Sequence, residues 1–445
     1  MDRIPNEVLS HILSYLLPGR EKHRLPRDRI DHVLPVRLQS VKTLNDYFRS
    51  WRQLLKIDSI KAAVRRITID PAPWGCVDGN GGDPLLRPAF SSSFDYWPAF
   101  TAAVTRICDI PNLGSLIVHF YNDGEDESGT TATQKRTLEV ITRTLEARNS
   151  RPNTSIVREL ALHGLKGTPL SAYLTDNLFR NIQRLHITVT YGGEERQRPE
   201  FSLYLSGTLL PQVSDHLVEL TLGGFLWGFI PVEFNGKGLS FPRLKSLTLG
   251  DYIVLRQDQF DWVLKQRSLR DLKLYSCHIA THCLVDEFYF GARAVNLNGW
   301  KKVFDASTDM DQSDHGFVSN TPYLGSLQHG WYTNDLRWSN LFDRVRENLP
   351  ELQSFTFDDI GWASYCYEEL LQFSSKDGLS QRYLTFCKGG WSMMWYIPVT
   401  ERGVWWYVDD TGPGCAVGLY TRTEPTDSQA LERLIEETRK RREVK

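Results

Sequence analysis

The sequence predicts an α/β fold in which a short helical region precedes a parallel sheet built from repeated units. Apolar residues at helical spacing fill the first 60 residues, and a Leu-x-x-Leu-x-Leu pattern recurs between residues 64 and 357. Helical spacing buries one face of a helix, whereas alternation within the repeat buries one face of a strand. A chain of 445 residues also exceeds the usual reach of one hydrophobic core, which favours a repeat architecture or two domains.

The overall composition is that of an ordinary globular protein, with 41% apolar and 24% charged residues. Lysine plus arginine number 52 against 54 acidic residues, so no net charge draws the chain toward nucleic acid or a membrane surface. No apolar run approaches the roughly 18–20 residues that a membrane span requires. We therefore expect a protein partner recognised by shape, and neither nucleic acid nor membrane.

The cysteines predict no disulfide scaffold, because they are odd in number and widely spread. They are Cys76, Cys108, Cys277, Cys283, Cys366, Cys387 and Cys415. The first residues lack a basic segment followed by an apolar stretch and a cleavage site. We expect a reducing compartment, cytoplasmic or nuclear or both.

The first predicted helix begins at Pro5, where the missing N–H costs nothing, and stops at Pro18-Gly19. Its apolar stripe comprises Val8, Leu9, Ile12, Leu13, Leu16 and Leu17. A second helical pattern runs from Val36 to Leu55 and includes Trp51, after a charged loop over residues 20–29. Two helices this short cannot bury both stripes against each other, so the spare apolar surface meets either the downstream domain or a partner protein.

The segment Ile4–Leu16 resembles the opening of an F-box: an apolar residue, Pro, any residue, Glu, paired aliphatics and an aromatic-Leu close. Ile4 stands where the family usually has Leu. The segment Val36–Asn45 resembles the second half of the F-box, after a longer loop than is typical. The resemblance implies that residues 1–57 bind a Skp-family adaptor and, through it, a cullin scaffold. The implied adaptor-binding residues are Ile4, Pro5, Val8, Leu9, Ile12, Leu13 and Leu16.

The repeated pattern predicts a leucine-rich-repeat-like, irregular α/β solenoid over residues 58–425. Its copies are Val64-Ile67-Ile69, Leu113-Leu116-Val118, Val157-Leu160-Leu162, Ile182-Leu185-Ile187, Leu217-Leu220-Leu222, Leu244-Leu247-Leu249, Leu269-Leu272-Leu274 and Leu352-Phe355-Phe357. Several spacings fall near 25 residues, within the roughly 20–29 residues of a leucine-rich repeat. Helices are expected between the strands, for example over Leu170–Phe179 and Gln259–Leu264.

The C-terminal third departs from this regularity. Eighty-three residues separate Leu272 from Phe355, and tryptophans are concentrated from Trp300 onward, which predicts a long insertion or an aromatic-rich cap. Blocks such as Phe241–Ile279 resemble filamentous-fungal F-box proteins of unassigned substrate. Residues 426–445 are expected to form a helix with a basic end, which is also a candidate nuclear-import signal.

Catalytic and metal chemistry find little support. Cys277, His278, His282 and Cys283 are the one cluster suggesting zinc, but the repeat already assigns Cys277 to its core. Common nucleophile, phosphate-binding and zinc-protease motifs are missing from the sequence. We predict no metal, no cofactor and no catalytic residue, and therefore a non-catalytic protein.

Strand alternation predicts where a target would bind. Leu220, Leu247 and Leu272 should be interior, whereas Thr221, Thr248 and Lys273 should be exposed on the opposite face. The candidate target-binding residues on that face are Arg184, His186, Glu219, Asp271, Lys273 and Tyr275, with Arg184, Tyr275 and the tryptophan-rich region contributing most. By resemblance, the function is substrate recognition in a Skp–cullin–F-box ubiquitin ligase. The alternative is an adaptor-binding scaffold acting outside ubiquitination.

Overall fold

A computed structural model describes the chain over residues 33–35, 51–69, 97–120, 127–190, 199–224, 234, 236–286, 298–305, 329–358, 379, 383–387, 395–398 and 419–444. The predicted adaptor-binding segment Ile4–Leu16 lies outside these residues. Within them, the fold is α/β, with a parallel sheet and helices, as predicted.

The strands are short and mostly follow the predicted repeats. They are β1 Val33–Pro35, β2 Arg66–Ile69, β3 Ser115–His119, β4 Glu159–Lys166, β5 Arg184–Thr190, β6 Glu219–Gly224, β7 Ser246–Gly250, β8 Ile253–Val254, β9 Asp271–Tyr275, β10 His278–Asp286, β11 Lys301–Asp305, β12 His329–Thr333, β13 Ser354–Asp358, β14 Tyr383–Cys387 and β15 Trp395–Pro398. All eight predicted copies of the repeat coincide with strands, namely β2 to β7, β9 and β13.

The helices occupy connections between these strands, except the last, which follows β15. They are α1 Asp58–Ala63, α2 Trp97–Thr105, α3 Glu127–Asn149, α4 Ala172–Leu178, α5 Pro199–Tyr204, α6 Leu210–Val213, α7 Asp261–Leu264, α8 Trp338–Asn348 and α9 Leu419–Glu443. The predicted helices near residues 170–179 and 259–264 correspond to α4 and α7, the latter preceded by a 3-10 turn at Gln257–Phe260. None of the helices in the described ranges is long and apolar enough to cross a membrane.

The chain divides into two compact units, residues 1–119 with 139–159, and residues 120–138 with 160–445. The boundaries predicted at residues 57 and 425 concern binding roles and stay predictions. In the first unit, β1, β2 and β3 are parallel neighbours, and Arg66 pairs with Ser115 in the register. Trp51 is buried and donates its indole N–H to the Ala103 carbonyl at 3.0 Å, which ties the second predicted helix to α2.

A buried cation organises the end of α3 in the first unit. The guanidinium of Arg148 is fully buried and donates to the carbonyls of Ile110 at 2.7 Å and Pro111 at 3.1 Å, and to the Ser155 carbonyl. Burial lowers the pKa of Arg148, because the charged form loses water. The carbonyl oxygens replace that water, and the hydrogen bonds from Arg148 to Ile110 and Pro111 hold the loop that precedes β3.

In the second unit, the parallel sheet has the strand order β4-β5-β6-β7-β9-β13. Its register follows the sequence pattern, since Leu220 pairs with Leu247, Leu247 with Leu272, and Leu272 with Phe355. The three leucines have no exposed surface, which confirms the prediction that they are interior. Each such side chain contributes roughly 1.5–3 kcal/mol through burial.

Cys277 continues this core. It is buried, and its thiol lies 3.3 Å from the Leu249 carbonyl. Tyr252 takes the equivalent place one repeat earlier and donates its hydroxyl to the Phe234 carbonyl at 2.6 Å. Because both residues directly follow a left-handed residue, Asp251 or Ser276, the chain turns inward at the same point of each repeat.

The stretch between β9 and β13 forms part of a second sheet in this unit, with the order β11-β12-β10-β14-β15 and with β8 beside β10. Both parallel and antiparallel pairs occur in it. Asn334, which directly follows β12, joins strands within this sheet: its amide donates to the carbonyl of Leu255, after β8, at 3.2 Å and to that of Ala280, in β10, at 2.8 Å. The described part of the predicted insertion therefore forms strands, and these pair with β8 and β14, which lie outside it.

Helix α9 holds both ends of α8. At the start of α8, the buried Asp427 accepts from the Ser339 amide at 2.8 Å and from the Tyr383 hydroxyl, and that hydroxyl accepts from the Trp338 amide at 3.0 Å. At its end, Arg441 donates to the Leu349 and Arg346 carbonyls at 2.7 and 3.0 Å. These contacts satisfy amide and carbonyl groups that helix termini otherwise leave unpaired.

Aromatic packing completes this region. The ring of Trp338 stacks on Phe342 at 5.5 Å and meets Phe357 edge-on at 4.6 Å between centroids. Trp338 is fully buried and belongs to the core. The prediction that the tryptophan-rich region contacts a target is therefore wrong for this residue.

Candidate functional site

The candidate site is the polar face of the second unit's parallel sheet, defined as the side chains of β5, β6, β7, β9 and β13 that point away from the leucine core. Strand alternation places every second residue on it, in three rows across the sheet. The first row is Arg184, Glu219, Ser246, Asp271 and Ser354; the middle row is His186, Thr221, Thr248, Lys273 and Thr356; the last row is Thr188, Gly223, Gly250, Tyr275 and Asp358.

All six predicted target-binding residues lie on this face. Arg184 and Glu219 are register partners in the first row, and Asp271, Lys273 and Tyr275 follow one another along β9. The structure thus brings the predicted residues together in the predicted order. It does not make them equally accessible.

Over β5 and β6, the middle and last rows of the polar face are buried, whereas in the first row Arg184 is exposed and Glu219 is half-buried. His186 is 1% exposed and Thr221 2% exposed, and the His186 Nδ1 atom lies 2.8 Å from the Thr221 hydroxyl. Thr248 is also buried, so the prediction that Thr221 and Thr248 are exposed is wrong. Neighbouring strands lie about 4.8 Å apart, and short side chains are shielded by those of the strands on either side.

The part over β9 and β13 is more open, and Ser246 and Gly250 of β7 are half-buried beside it. Lys273 and Asp271 are each about a quarter exposed, and the Lys273 ammonium lies 3.2 Å from Asp271 Oδ2. The Ser246 hydroxyl donates to the same oxygen at 3.2 Å. The other carboxylate oxygen, Asp271 Oδ1, is buried and has no hydrogen-bond partner among the described residues. An acceptor left in this state costs roughly 1–3 kcal/mol.

Tyr275 forms the wall of this open part. It is only 7% exposed, which corrects the expectation of an exposed aromatic, and it pairs in the register with Gly250 on one side and Asp358 on the other. Burial raises the pKa of the Tyr275 hydroxyl, and the carboxylates of Asp271 and Asp358 raise it further. The Tyr275 hydroxyl therefore stays protonated to a higher pH than that of a free tyrosine.

Beside Tyr275, two glycines leave a depression in the polar face. Gly223 and Gly250 lie on adjacent strands between Thr188 and Tyr275. A Cβ placed on Gly250 would have only the Gly223 Cα, at 3.5 Å, within 4 Å of it among the described atoms. Glycine inside a strand often marks the close approach of a ligand or of another backbone.

This depression was not predicted from the sequence. Its signal was present, because Leu222 and Leu249 are each followed by glycine at the same repeat position. Single glycines after a strand usually indicate a turn, and only the register places these two side by side.

The described residues contain no group of three His, Cys, Asp or Glu side chains that could hold a metal ion. His282 and Cys283 belong to β10, which pairs with β12 and β14.

No family model, curated protein or solved structure matches the chain.

Proposed function

We propose that the chain is the substrate-recognition subunit of a Skp–cullin–F-box ubiquitin ligase, with residues 1–57 binding the adaptor and the polar face holding a target protein. The observation that carries the proposal is the shared register of β5, β6, β7, β9 and β13. The first row of the polar face, from Arg184 on β5 to Ser354 on β13, is exposed or half-buried on all five strands and offers an accessible polar strip roughly 20 Å long, at about 4.8 Å per strand. A surface of this kind suits recognition of another protein.

In this proposal the chain acts by proximity. It holds the target beside the other subunits of the ligase and so raises the effective concentration of the target's lysines near the transferred ubiquitin. Specificity resides in the polar face, and the chain supplies no bond-making group. Mixed charge favours selection among partners over raw affinity, because a wrong partner brings like charges together.

The adaptor-binding segment provides the first test. Leu9→Asp with Leu13→Asp places two charges on the predicted apolar stripe, where each leucine would contribute roughly 1.5–3 kcal/mol to binding. We expect adaptor affinity to fall at least about a hundredfold in a pulldown of full-length chain with a purified Skp-family adaptor.

The matched control is Ser10→Asp with Ser14→Asp, which adds the same charge to the opposite side of the predicted helix. The control should retain the adaptor. If both double variants keep the circular dichroism of the wild type and bind the adaptor equally, the F-box assignment is wrong.

A scaffold acting outside ubiquitination is distinguished by output. In a reconstituted ligase, a target captured by the wild-type chain should acquire ubiquitin, and the Leu9→Asp, Leu13→Asp variant should capture the target without modifying it. A captured target that stays unmodified while the adaptor and cullin are bound would favour the scaffold.

A further inference from the structure

Five cations cluster where two neighbouring strands of the second unit begin. The turn before β7 carries Arg243 and Lys245, and the turn before β9 carries Lys265, Arg267 and Arg270. We name these five residues the basic edge. Four of them are exposed, and Lys245 is half-buried. The basic edge precedes the polar face along each strand and shares no residue with it.

Hydrogen bonds hold the two turns of the basic edge side by side. The Arg270 amide donates to the Lys245 carbonyl at 2.8 Å, and the Lys245 ammonium donates to the Ser268 carbonyl at 3.3 Å. The side-chain oxygen of the buried Gln266 accepts from the Phe241 amide at 2.8 Å. Because these bonds fix the backbone, the cations are gathered before a partner arrives, which lowers the entropy cost of binding.

The positive charge of the basic edge is not neutralised by its surroundings. Within the described parts of the chain, none of its five cations forms an ion pair with a carboxylate. The basic cluster at the end of α9 differs, because Arg439 and Lys440 pair with Glu436, and Arg441 pairs with Glu437. Since the whole chain has 52 basic and 54 acidic residues, the excess of positive charge is local. Such a local excess attracts an anionic partner.

The extent of the basic edge favours an acidic peptide over a nucleic acid. Neighbouring strands lie about 4.8 Å apart, so a run of about three extended residues, at roughly 3.3 Å each, covers both turns. The turns on either side carry acidic residues, Asp215 before β6 and Glu351 before β13. A nucleic acid bears phosphates at regular intervals and would place some of them beside these carboxylates. An acidic run in a protein can end where the positive charge ends.

We propose that the basic edge binds a short run of aspartate or glutamate side chains in a partner protein. Arginine presents N–H donors in a planar fork that matches a carboxylate, and three of the five cations are arginines. The inference goes beyond the proposed function, because the basic edge lies outside both the polar face and residues 1–57.

The test measures binding of fluorescein-labelled peptides to the full-length chain by fluorescence polarisation at low ionic strength. Each nine-residue peptide has three central glutamates, glutamines or lysines between glycine–serine flanks. The glutamate peptide should bind at least about tenfold more tightly than the glutamine peptide, since charge-assisted hydrogen bonds are roughly twice as strong as neutral ones. This difference should shrink at about 1 M salt, where exposed charges are screened. Equal binding of the glutamate and glutamine peptides overturns the proposal.

A four-nucleotide single-stranded DNA is the competing anion, because its three phosphates match the charge of the glutamate peptide. The DNA should bind at least about threefold more weakly than the peptide, since its charges are spread over a greater length. DNA that binds as tightly as the glutamate peptide would show that the choice of an acidic protein segment is wrong.

Charge reversal locates the binding. Arg267→Glu with Arg270→Glu reverses two charges of the basic edge and should weaken binding of the glutamate peptide at least about tenfold. The matched control, Arg439→Glu with Arg442→Glu, makes the same reversal at exposed positions of α9 and should change the affinity less than about twofold. If both folded variants bind the peptide like the wild type, the basic edge is not the binding surface.

A milder pair keeps the test decisive if the charge reversal prevents folding. Arg243→Gln with Lys265→Gln removes two exposed cations without adding negative charge, and should weaken binding at least about threefold. Circular dichroism verifies the fold of each variant. Wild-type affinity in the folded glutamine variant overturns the proposal, whereas adaptor binding by the same variants tests the proposed function independently.

Discussion

The two ends of the polar face share one backbone register but satisfy their polar groups differently. Over β5 and β6, His186 and Thr221 bond to each other and are shielded from water. Over β9 and β13, Asp271 and Lys273 remain about a quarter exposed, and one carboxylate oxygen has no partner among the described residues. Strand alternation thus decides which way a side chain points, whereas its length and neighbours decide whether a partner can reach it.

The largest expected loss of stability comes from the leucine core on the other face of the sheet, which supports both ends of the polar face. Leu247→Ala removes a side chain with no exposed surface and should cost about 2–5 kcal/mol through lost burial and the remaining cavity. A urea melt followed by circular dichroism measures this loss.

Leu203→Ala is the control, because Leu203 is 71% exposed on α5 and should change stability by less than about 0.5 kcal/mol. Similar losses in the two variants would contradict the assignment of the leucine core.

An intermediate effect separates the buried end from the open end. His186→Ala leaves the Thr221 hydroxyl without the Nδ1 partner in a buried place, and should cost about 1–3 kcal/mol. Lys273→Ala removes an exposed ion pair with Asp271 and should cost less than about 1 kcal/mol. If urea melts show a larger loss of stability for Lys273→Ala than for His186→Ala, the open end contributes more to stability than the buried end, contrary to this expectation.

The smallest effect concerns the pKa of Tyr275 at the open end. Because the pKa of Tyr275 is raised in the folded state, its contribution to stability is complete below the ordinary tyrosine pKa of about 10 and is lost as pH rises above it. Subtracting the tyrosinate absorbance titration of Tyr275→Phe from that of the wild type should give a midpoint above 10.

Adding Asp358→Asn should lower that midpoint, since one of the carboxylates that raises the pKa is neutralised. A midpoint at or below that of free tyrosine would show that Tyr275 is neither buried nor close to the carboxylates.

Much of the parallel sheet could be predicted from the sequence, because its stabilising residues recur at fixed offsets. Every predicted copy from Val64-Ile67-Ile69 to Leu352-Phe355-Phe357 coincides with a strand. Period-two alternation under a constant register also placed Arg184 and Lys273 on the correct face. Both patterns depend only on residues close together in the chain, so they can be recognised in a single sequence.

Contacts between distant segments could not be predicted in this way. The second sheet joins β10 to β14 across about a hundred residues, and no local offset links their sequences. The burial of His186 and Tyr275 was missed for a related reason, since the exposure of a side chain depends on neighbours that alternation does not specify. The depression at Gly250 likewise required the register of two strands.

Two residues of α9, Asp427 and Arg441, bind the start and the end of α8, so their separation must match the length of α8. Asp427 and Arg441 are 14 residues apart, about 21 Å along a helix, and Ala430, Leu434 and Thr438 lie buried between them. One inserted residue between these anchors would turn Arg441 by about 100° relative to Asp427, so only one end of α8 could then be held. Helix α9 should therefore tolerate substitutions better than changes of length. Substitutions at the exposed Glu432 or Ile435 leave Asp427 and Arg441 on the same side of the helix, whereas single-residue insertions or deletions between them do not.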